Sequence, residues 1–275
     1  MTTPSILRGG RRVHTGRRLG QVIGRKPTGI TGAQWNTAGT VVLDHLVTDA
    51  ATEAPEFALI FSAAEPGGRV ERMTTAVCDA VGLPLLRITS AALTGADHGT
   101  QILNYILDAR AFGEGDDSHA GAAEGGRGYR DIVGRLPDGR TGYVNDLSSV
   151  ARAAAVDAYA ARQLFDPIIR GIRVRWTGGP AEGWAWLQLQ EGGYVFERVL
   201  LAEHRTTCGV PADRLAEDLA GAAIGQRLKL RHSAEPDLVD LAHIEARLRD
   251  LSARRDELTD GFPYEHLLVD QPAAR

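Results

Sequence analysis

The chain is poor in cysteine, methionine and lysine. Of its 275 residues two are Cys and two are Met, and Lys26 and Lys229 are the lysines. Cys78 and Cys208 stand apart, so the sequence offers neither a metal-binding cysteine spacing nor a disulfide framework. Cys78 falls in an apolar helical pattern and reads as a small core residue. No apolar run approaches the roughly 18–20 residues that span a bilayer, which argues against a membrane partner. The first residues carry charge without an apolar segment, unlike a secretory signal, so a cytoplasmic location is expected. A nucleophile elbow, a dinucleotide fingerprint and a phosphate-binding loop are also missing, and a small-molecule enzyme has no positive support.

Acidic residues are absent from the start of the chain. No Asp or Glu precedes Asp44, whereas Arg8, Arg11, Arg12, Arg17, Arg18, Arg25 and Lys26 do. The formal net charge of −4 therefore hides a basic leading segment and an acidic remainder. Residues 1–30 are expected to be a basic flexible arm. Two readings stay open for it. One is a solvated tail with too little apolar surface to fold. The other is a segment that binds DNA or RNA by releasing counterions from phosphates. No aromatic residue interleaves with these arginines, so base stacking is not supported there.

What is present is ordinary for a globular protein. Hydrophobic residues make up 43% and charged residues 24%, and the length allows a sizeable core. Val41–Val47 and Phe57–Phe61 read as strands joined by a turn around Thr52. Val70, Met73, Val77, Ala80 and Val81 recur at helical spacing over Arg69–Val81, with Gly82 and Pro84 as stop signals. Leu85–Ile88 follows as a short buried strand, and the crossover predicts a parallel pair in a mixed sheet. A further helix is expected over Thr100–Phe112.

Asp44 interrupts the first of these strands. A carboxylate in a buried strand needs a cation, a hydrogen-bond donor or an exposed strand end, so Asp44 is a site candidate. His45 is expected on the opposite face, because side chains alternate along a strand. A hairpin closing around Thr52 places Asp44 opposite Ile60 and Glu56 opposite Thr48. Glu56 is then on the order of 13 Å from Asp44 along the ladder, too far to share an ion.

The pattern VVLDHLVTD, PEFALIF and RVERMTTAVCDAVGLPLLRI, spread over about residues 35–110, resembles a bacterial domain of unknown function of the PD-(D/E)xK nuclease superfamily. The resemblance implies an α/β fold with a restriction-endonuclease-like mixed sheet flanked by helices, and Mg²⁺-dependent cutting of nucleic acid in active members. It makes Asp44 the counterpart of the first metal-binding Asp. The second acidic-x-acidic or acidic-x-Lys pair should fall at Ile60 and Ser62, neither of which replaces a carboxylate or a lysine. One Asp beside Ile and Ser is a poor cage for a hard cation. Glu65, folding back from the next loop, is the residue that would restore a catalytic, metal-binding pair. The resemblance thus implies a nuclease-like protein that has lost cleavage and binds nucleic acid or a protein. A non-catalytic protein-interaction or regulatory module with no nucleic-acid contact is the first alternative, an active Mg²⁺-dependent nuclease with a relocated carboxylate the second, and no other cofactor is expected.

Residues 113–145 are rich in Gly and charge and read as a linker or inserted loop; a metal cluster of Asp116, Asp117 and His119 is the rival reading. From 146 to 270 a smaller α+β region is expected. A helix runs from about Ser148 to Phe165, followed by a meander of Ile168–Trp176, Trp184–Gln190 and Tyr194–Ala202. Arg173, Arg175, Trp184 and Trp186, with Tyr194, form the chain's best basic–aromatic set. It fits either a single-strand binding surface or a small sheet core with solvated arginines. Pro211–Leu230 holds a helix. Pro236–Leu258 is the most regular one, started by Ser233 or Asp237, with Leu238, Leu241, Ile244, Leu248, Leu251 and Leu258 on one side. That leucine seam suits docking on the body of the protein or pairing with a protein partner.

Overall fold

The structure is a computed structural model and describes residues 5–115, 129–230 and 237–268. The chain is an α/β protein built on a mixed sheet of eight strands with flanking helices. In chain order the strands of this sheet are β1 (Ser5–Arg8), β2 (Arg11–Arg18), β3 (Val42–Asp49), β4 (Pro55–Ser62), β5 (Leu85–Thr89), and then, after a small separate hairpin numbered β6 and β7, β8 (Arg170–Arg175), β9 (Ala181–Gln190) and β10 (Gly193–His204). Their spatial order is β1-β2-β3-β4-β5-β10-β9-β8. The pairs from β1 to β4 are antiparallel, β4 and β5 are parallel, and β8 and β9 are antiparallel. Among the described residues no helix is long and apolar enough to cross a membrane.

The chain divides into two compact units. The first comprises residues 1–118 and 201–210, the second residues 119–200 and 211–275. In the first unit, β2 runs into the short helix α1 (Leu19–Ile23), and α2 (Gly32–Ala38) precedes β3. The crossover helix between β4 and β5 is α3 (Arg69–Val81), closed by Gly82 in the left-handed conformation at φ +67°. Its buried face carries Thr74, Val77 and Cys78. Val70 and Val81, expected inward, are exposed, so the face is turned from the one the spacing suggested. Leu43, Leu46, Ala58, Ile60 and Leu85 pack with Val77 and Cys78 in one core. Burial there pushes the Cys78 thiol up to about 11, which leaves it unreactive. Helix α4 (Gly95–Gly115) follows β5 and is longer than the expected Thr100–Phe112.

The leading segment is not a flexible arm from Ser5 onward. Ser5–Arg8 and Arg11–Arg18 form a hairpin, and Arg11–Arg18 pairs with β3 along its length. RRVHTGRR carries one aliphatic residue, so its own pattern is faint. The neighbouring strand supplies the hydrogen-bond partners that hold it extended.

The second unit contains the hairpin β6 (Val133–Arg135) and β7 (Thr141–Tyr143), and helices α5 (Ser149–Ala160), α6 (Ala212–Leu230) and α7 (Leu241–Ala253). Part of the expected Gly-rich loop is therefore ordered structure. Arg130, just ahead of β6, bonds to the fully buried Asp218 of α6. Asp116, Asp117 and His119 lie outside the described residues, as does Ser233. Helix α5 ends at Ala160, short of Phe165, and Arg162 takes a left-handed φ of +59°. Helix α7 starts at Leu241, where Asp240 accepts a hydrogen bond from the His243 amide. Its Ile244, Leu248 and Leu251 are buried against Ile172, Val174, Trp184 and Trp186 of β8 and β9. Of the expected seam, Ile244, Leu248, Leu251 and Leu258 are buried within the second unit, whereas Leu241 is 43% exposed.

Candidate functional site

The site is the end of the first unit's sheet where β3 begins and β4 and β5 finish. The β3–β4 register pairs His45 with Leu59, Leu46 with Ala58 and Val47 with Phe57. Continued by one residue, it sets Asp44 opposite Ile60, as the hairpin geometry required. The register then shifts at Thr48, which faces Pro55 instead of Glu56. Glu56 pairs with Arg11 instead, at 2.8 Å.

Asp44 has a definite task. Its Oδ2 accepts a hydrogen bond of 2.7 Å from the Phe61 amide. That amide lies beyond the last β3–β4 pair, so the carboxylate stands in for a missing ladder acceptor. The other oxygen, Oδ1, rests against the start of α4: a Cβ added at Gly95 would come within 2.1 Å of it. An anion is well placed at this end of a helix, where the peptide dipoles point their positive ends.

His45 meets the same helix one turn later. A Cβ added at Gly99 would lie 2.4 Å from its Nε2. Asp44 and His45 were expected on opposite faces, yet both touch α4. His45 is 3% exposed, and neither ring nitrogen has a hydrogen-bond partner. Burial lowers its pKa, against an opposing pull from Asp44, which favours the neutral ring.

The positions that should complete a metal pair do not. Ile60 belongs to the apolar core. Ser62 is engaged in a turn with Ala64, accepting from its amide at 3.1 Å. Glu65 is exposed on the loop between β4 and α3. Among the described residues, no group of three or more His, Cys, Asp and Glu side chains is arranged to hold a metal ion. With one Asp44 oxygen committed to a backbone amide and an aliphatic side chain opposite, the residues present do not fit a nuclease Mg²⁺ centre.

The basic residues of the leading segment fall into two groups. At the hairpin-turn end of β2, Arg11 pairs with Glu56 and Arg12 with Glu53, while Arg8 of β1 pairs with Asp108 of α4. At the other end, Arg17 lies across from Leu43 and Arg18 across from Val42, beside Asp44. Arg25 and Lys26 follow just after α1, and the Lys26 ammonium is tied to the Ile30 carbonyl at 2.9 Å. Among the described residues, Arg17, Arg18, Arg25 and Lys26 make no ion pair with a carboxylate. Helix α1 is held close to the loop ahead of β3, where the Gly20 amide donates to the Gly39 carbonyl at 3.1 Å. A Cβ at Gly20 would stand 2.9 Å from that oxygen, so glycine is needed for this approach.

The second basic set is not a stacking surface. Trp184 and Trp186 are 2% and 4% exposed and belong to the core under α7. Arg173 bonds Asp213 and Glu217, and Arg175 bonds Asp213. Asp213 and Glu217 sit one turn apart on α6, matched to two arginines two residues apart on β8. That acidic spacing was readable beforehand, but which strand it would meet was not.

Comparison of the chain with protein-family models, with curated proteins and with solved structures returns no match.

Proposed function

We propose that the first unit binds nucleic acid through its phosphates and does not cut it. The observation that carries this reading is the segregation of charge along one hairpin. Arginines at the turn end of β2 are neutralised by carboxylates, while Arg17 and Arg18 at its other end, and Arg25 and Lys26 just after α1, make no ion pair with a carboxylate among the described residues. Cations of that kind gain free energy from polyanions by releasing their counterions. The resemblance to the PD-(D/E)xK superfamily supports the same end of the sheet, and the substitution of Ile60 and Ser62 for the second acidic pair supports the loss of cleavage. The contact is positional: phosphates fix a strand against the sheet end without reading its bases.

The test has two parts. Binding of single- and double-stranded DNA and RNA is measured for the intact protein and for Arg18→Ala, Arg25→Ala and the two combined. The reading requires weaker binding in each variant, uniform across sequences, with Arg8→Ala nearly silent. Cleavage is assayed with Mg²⁺ alongside. Cutting abolished by both Asp44→Ala and Glu65→Ala would replace this reading with that of an active nuclease.

A further inference from the structure

The first and last strands in the order of the sheet, β1 and β8, are its edges, and the chain treats them differently. The outer side of β8 is closed within its own unit. The Arg175 carbonyl accepts from the Thr259 amide at 2.9 Å. The Tyr264 hydroxyl accepts from the Arg173 amide and donates to the Arg173 carbonyl, both at 3.0 Å. Among the described residues β1 has no such cover. Its Ile6 and Leu7 are 57% and 68% exposed, and its charged side chain, Arg8, is engaged by Asp108 of α4. Prolines, bulges and free charges are the usual guards of an open edge. Residues 5–7 of β1 carry none of them, and their pairing with β2 is unbroken.

The hairpin turn fixes which backbone groups of β1 face outward. Arg8 pairs with Arg11 across a loop of two glycines, Gly9 and Gly10, whose φ angles are +53° and +75°. A loop of this kind is closed by a pair that exchanges both backbone hydrogen bonds. Along an antiparallel ladder such pairs alternate with pairs that exchange none. Arg8 and Ile6 therefore bond inward to β2, whereas Ser5 and Leu7 direct their N–H and C=O groups to the open edge.

We infer that this edge takes a second copy of the chain, β1 against β1, antiparallel about a two-fold axis at Ile6. A two-fold axis perpendicular to a sheet keeps every residue on its own face, so it must pass through a residue paired with its own counterpart. Centred on Ile6, the pairing sets Leu7 of each copy opposite Ser5 of the other. The outward groups of these residues then form four hydrogen bonds. The two Ile6 side chains meet in a pair without backbone bonds, where side chains come closest, and leave water together. A centre at Leu7 would give two such bonds and set Ile6 against Arg8. The groups one copy offers are those the other requires, which is the condition for an isologous contact. Arg8 is neutralised by Asp108 in each copy, so no unpaired like charges are brought together. Because β8 is closed, the assembly ends at two copies and does not grow into a fibre. So short a strand makes the dimer weak and concentration-dependent.

Sedimentation equilibrium of the intact protein from about 1 μM to about 1 mM is expected to show a reversible monomer–dimer equilibrium. Leu7→Pro removes one outward donor and no bond to β2, and Ile6→Lys sets like charges in the closest pair. Each is expected to weaken dimerisation by about tenfold or more, with circular dichroism and thermal melting confirming that the variant is folded. Oxidative cross-linking reads the register. Both native cysteines are buried, so Ile6→Cys is expected to give a covalent dimer. Leu7→Cys is not, because its counterpart lies diagonally across the pair, beyond disulfide reach. A protein that stays monomeric up to about 1 mM overturns the inference and leaves the edge to an extended segment of another protein. A dimer unaltered by folded Leu7→Pro and Ile6→Lys also overturns it, as does cross-linking through Leu7→Cys in place of Ile6→Cys. These variants keep Arg17, Arg18, Arg25 and Lys26, so the outcome is separable from that of the nucleic-acid test.

Discussion

Asp44 sits between two neighbours that account for its position: the Phe61 amide in front and the first turn of α4 behind. Replacing it with Ala leaves that amide without its acceptor, and the expected cost is about 1–3 kcal/mol. Asp44→Asn keeps an oxygen within reach and is expected to lose less, a ranking that urea denaturation of the three proteins decides. His45 is the opposite case, a buried ring whose nitrogens bond to nothing. His45→Leu removes those polar atoms at similar volume and is expected to hold or raise stability, by about 1 kcal/mol. The pH dependence has a sign. With its folded pKa below 6.5, His45 opposes folding once the pH drops below that value, because the unfolded chain takes up a proton the native state refuses. Native stability conferred at neutral pH is therefore lost as the pH falls from 6.5 towards the folded pKa. The advantage of His45→Leu should grow over that window and stay flat above it, as denaturation midpoints measured from pH 5 to pH 8 would register.

Among the elements, α7 shows how a regular pattern is satisfied. Ile244, Leu248 and Leu251 of its seam pack on β8 and β9. Leu248→Ala is expected to cost about 2–5 kcal/mol through the cavity it opens, while leaving the molecular mass in solution unchanged. A light-scattering measurement showing dissociation of an oligomer would contradict that placement. The second unit also relies on close approach between elements. A Cβ at Gly183 of β9 would fall 2.1 Å from the Glu217 amide of α6. The same contact brings Asp213 and Glu217 within bonding distance of Arg173 and Arg175, which ties those arginines to α6.

For the molecule as a whole, charge distribution matters more than net charge. A protein at −4 overall binds a polyanion only where cations are locally unopposed. If Arg17, Arg18, Arg25 and Lys26 each meet a phosphate, the logarithm of affinity should fall against the logarithm of salt with a slope of about −3.6 on duplex DNA. A fourfold rise in salt then weakens binding by about two orders of magnitude. A slope near zero would remove the phosphate contacts on which the proposed function rests. The ion pairs of Arg8 and Arg12 are exposed enough to add little to stability in either condition.

Periodic signals were legible from residue types alone. The β3–β4 register as far as Val47, the α3 span with its Gly82 stop and the inward Ile244, Leu248 and Leu251 of α7 follow from spacing, because apolar side chains must share a face to leave water. Tertiary contacts settled what local pattern cannot encode. Arg11–Arg18 became a strand because β3 offers it backbone partners, and Leu201–Val210 belongs with residues far earlier in the chain. Asp44 and His45 converge on α4 because glycines at 95 and 99 let the helix come close. Which arginines remain available for a ligand was likewise fixed in space, since an ion pair depends on the distance between two side chains and not on their separation along the chain.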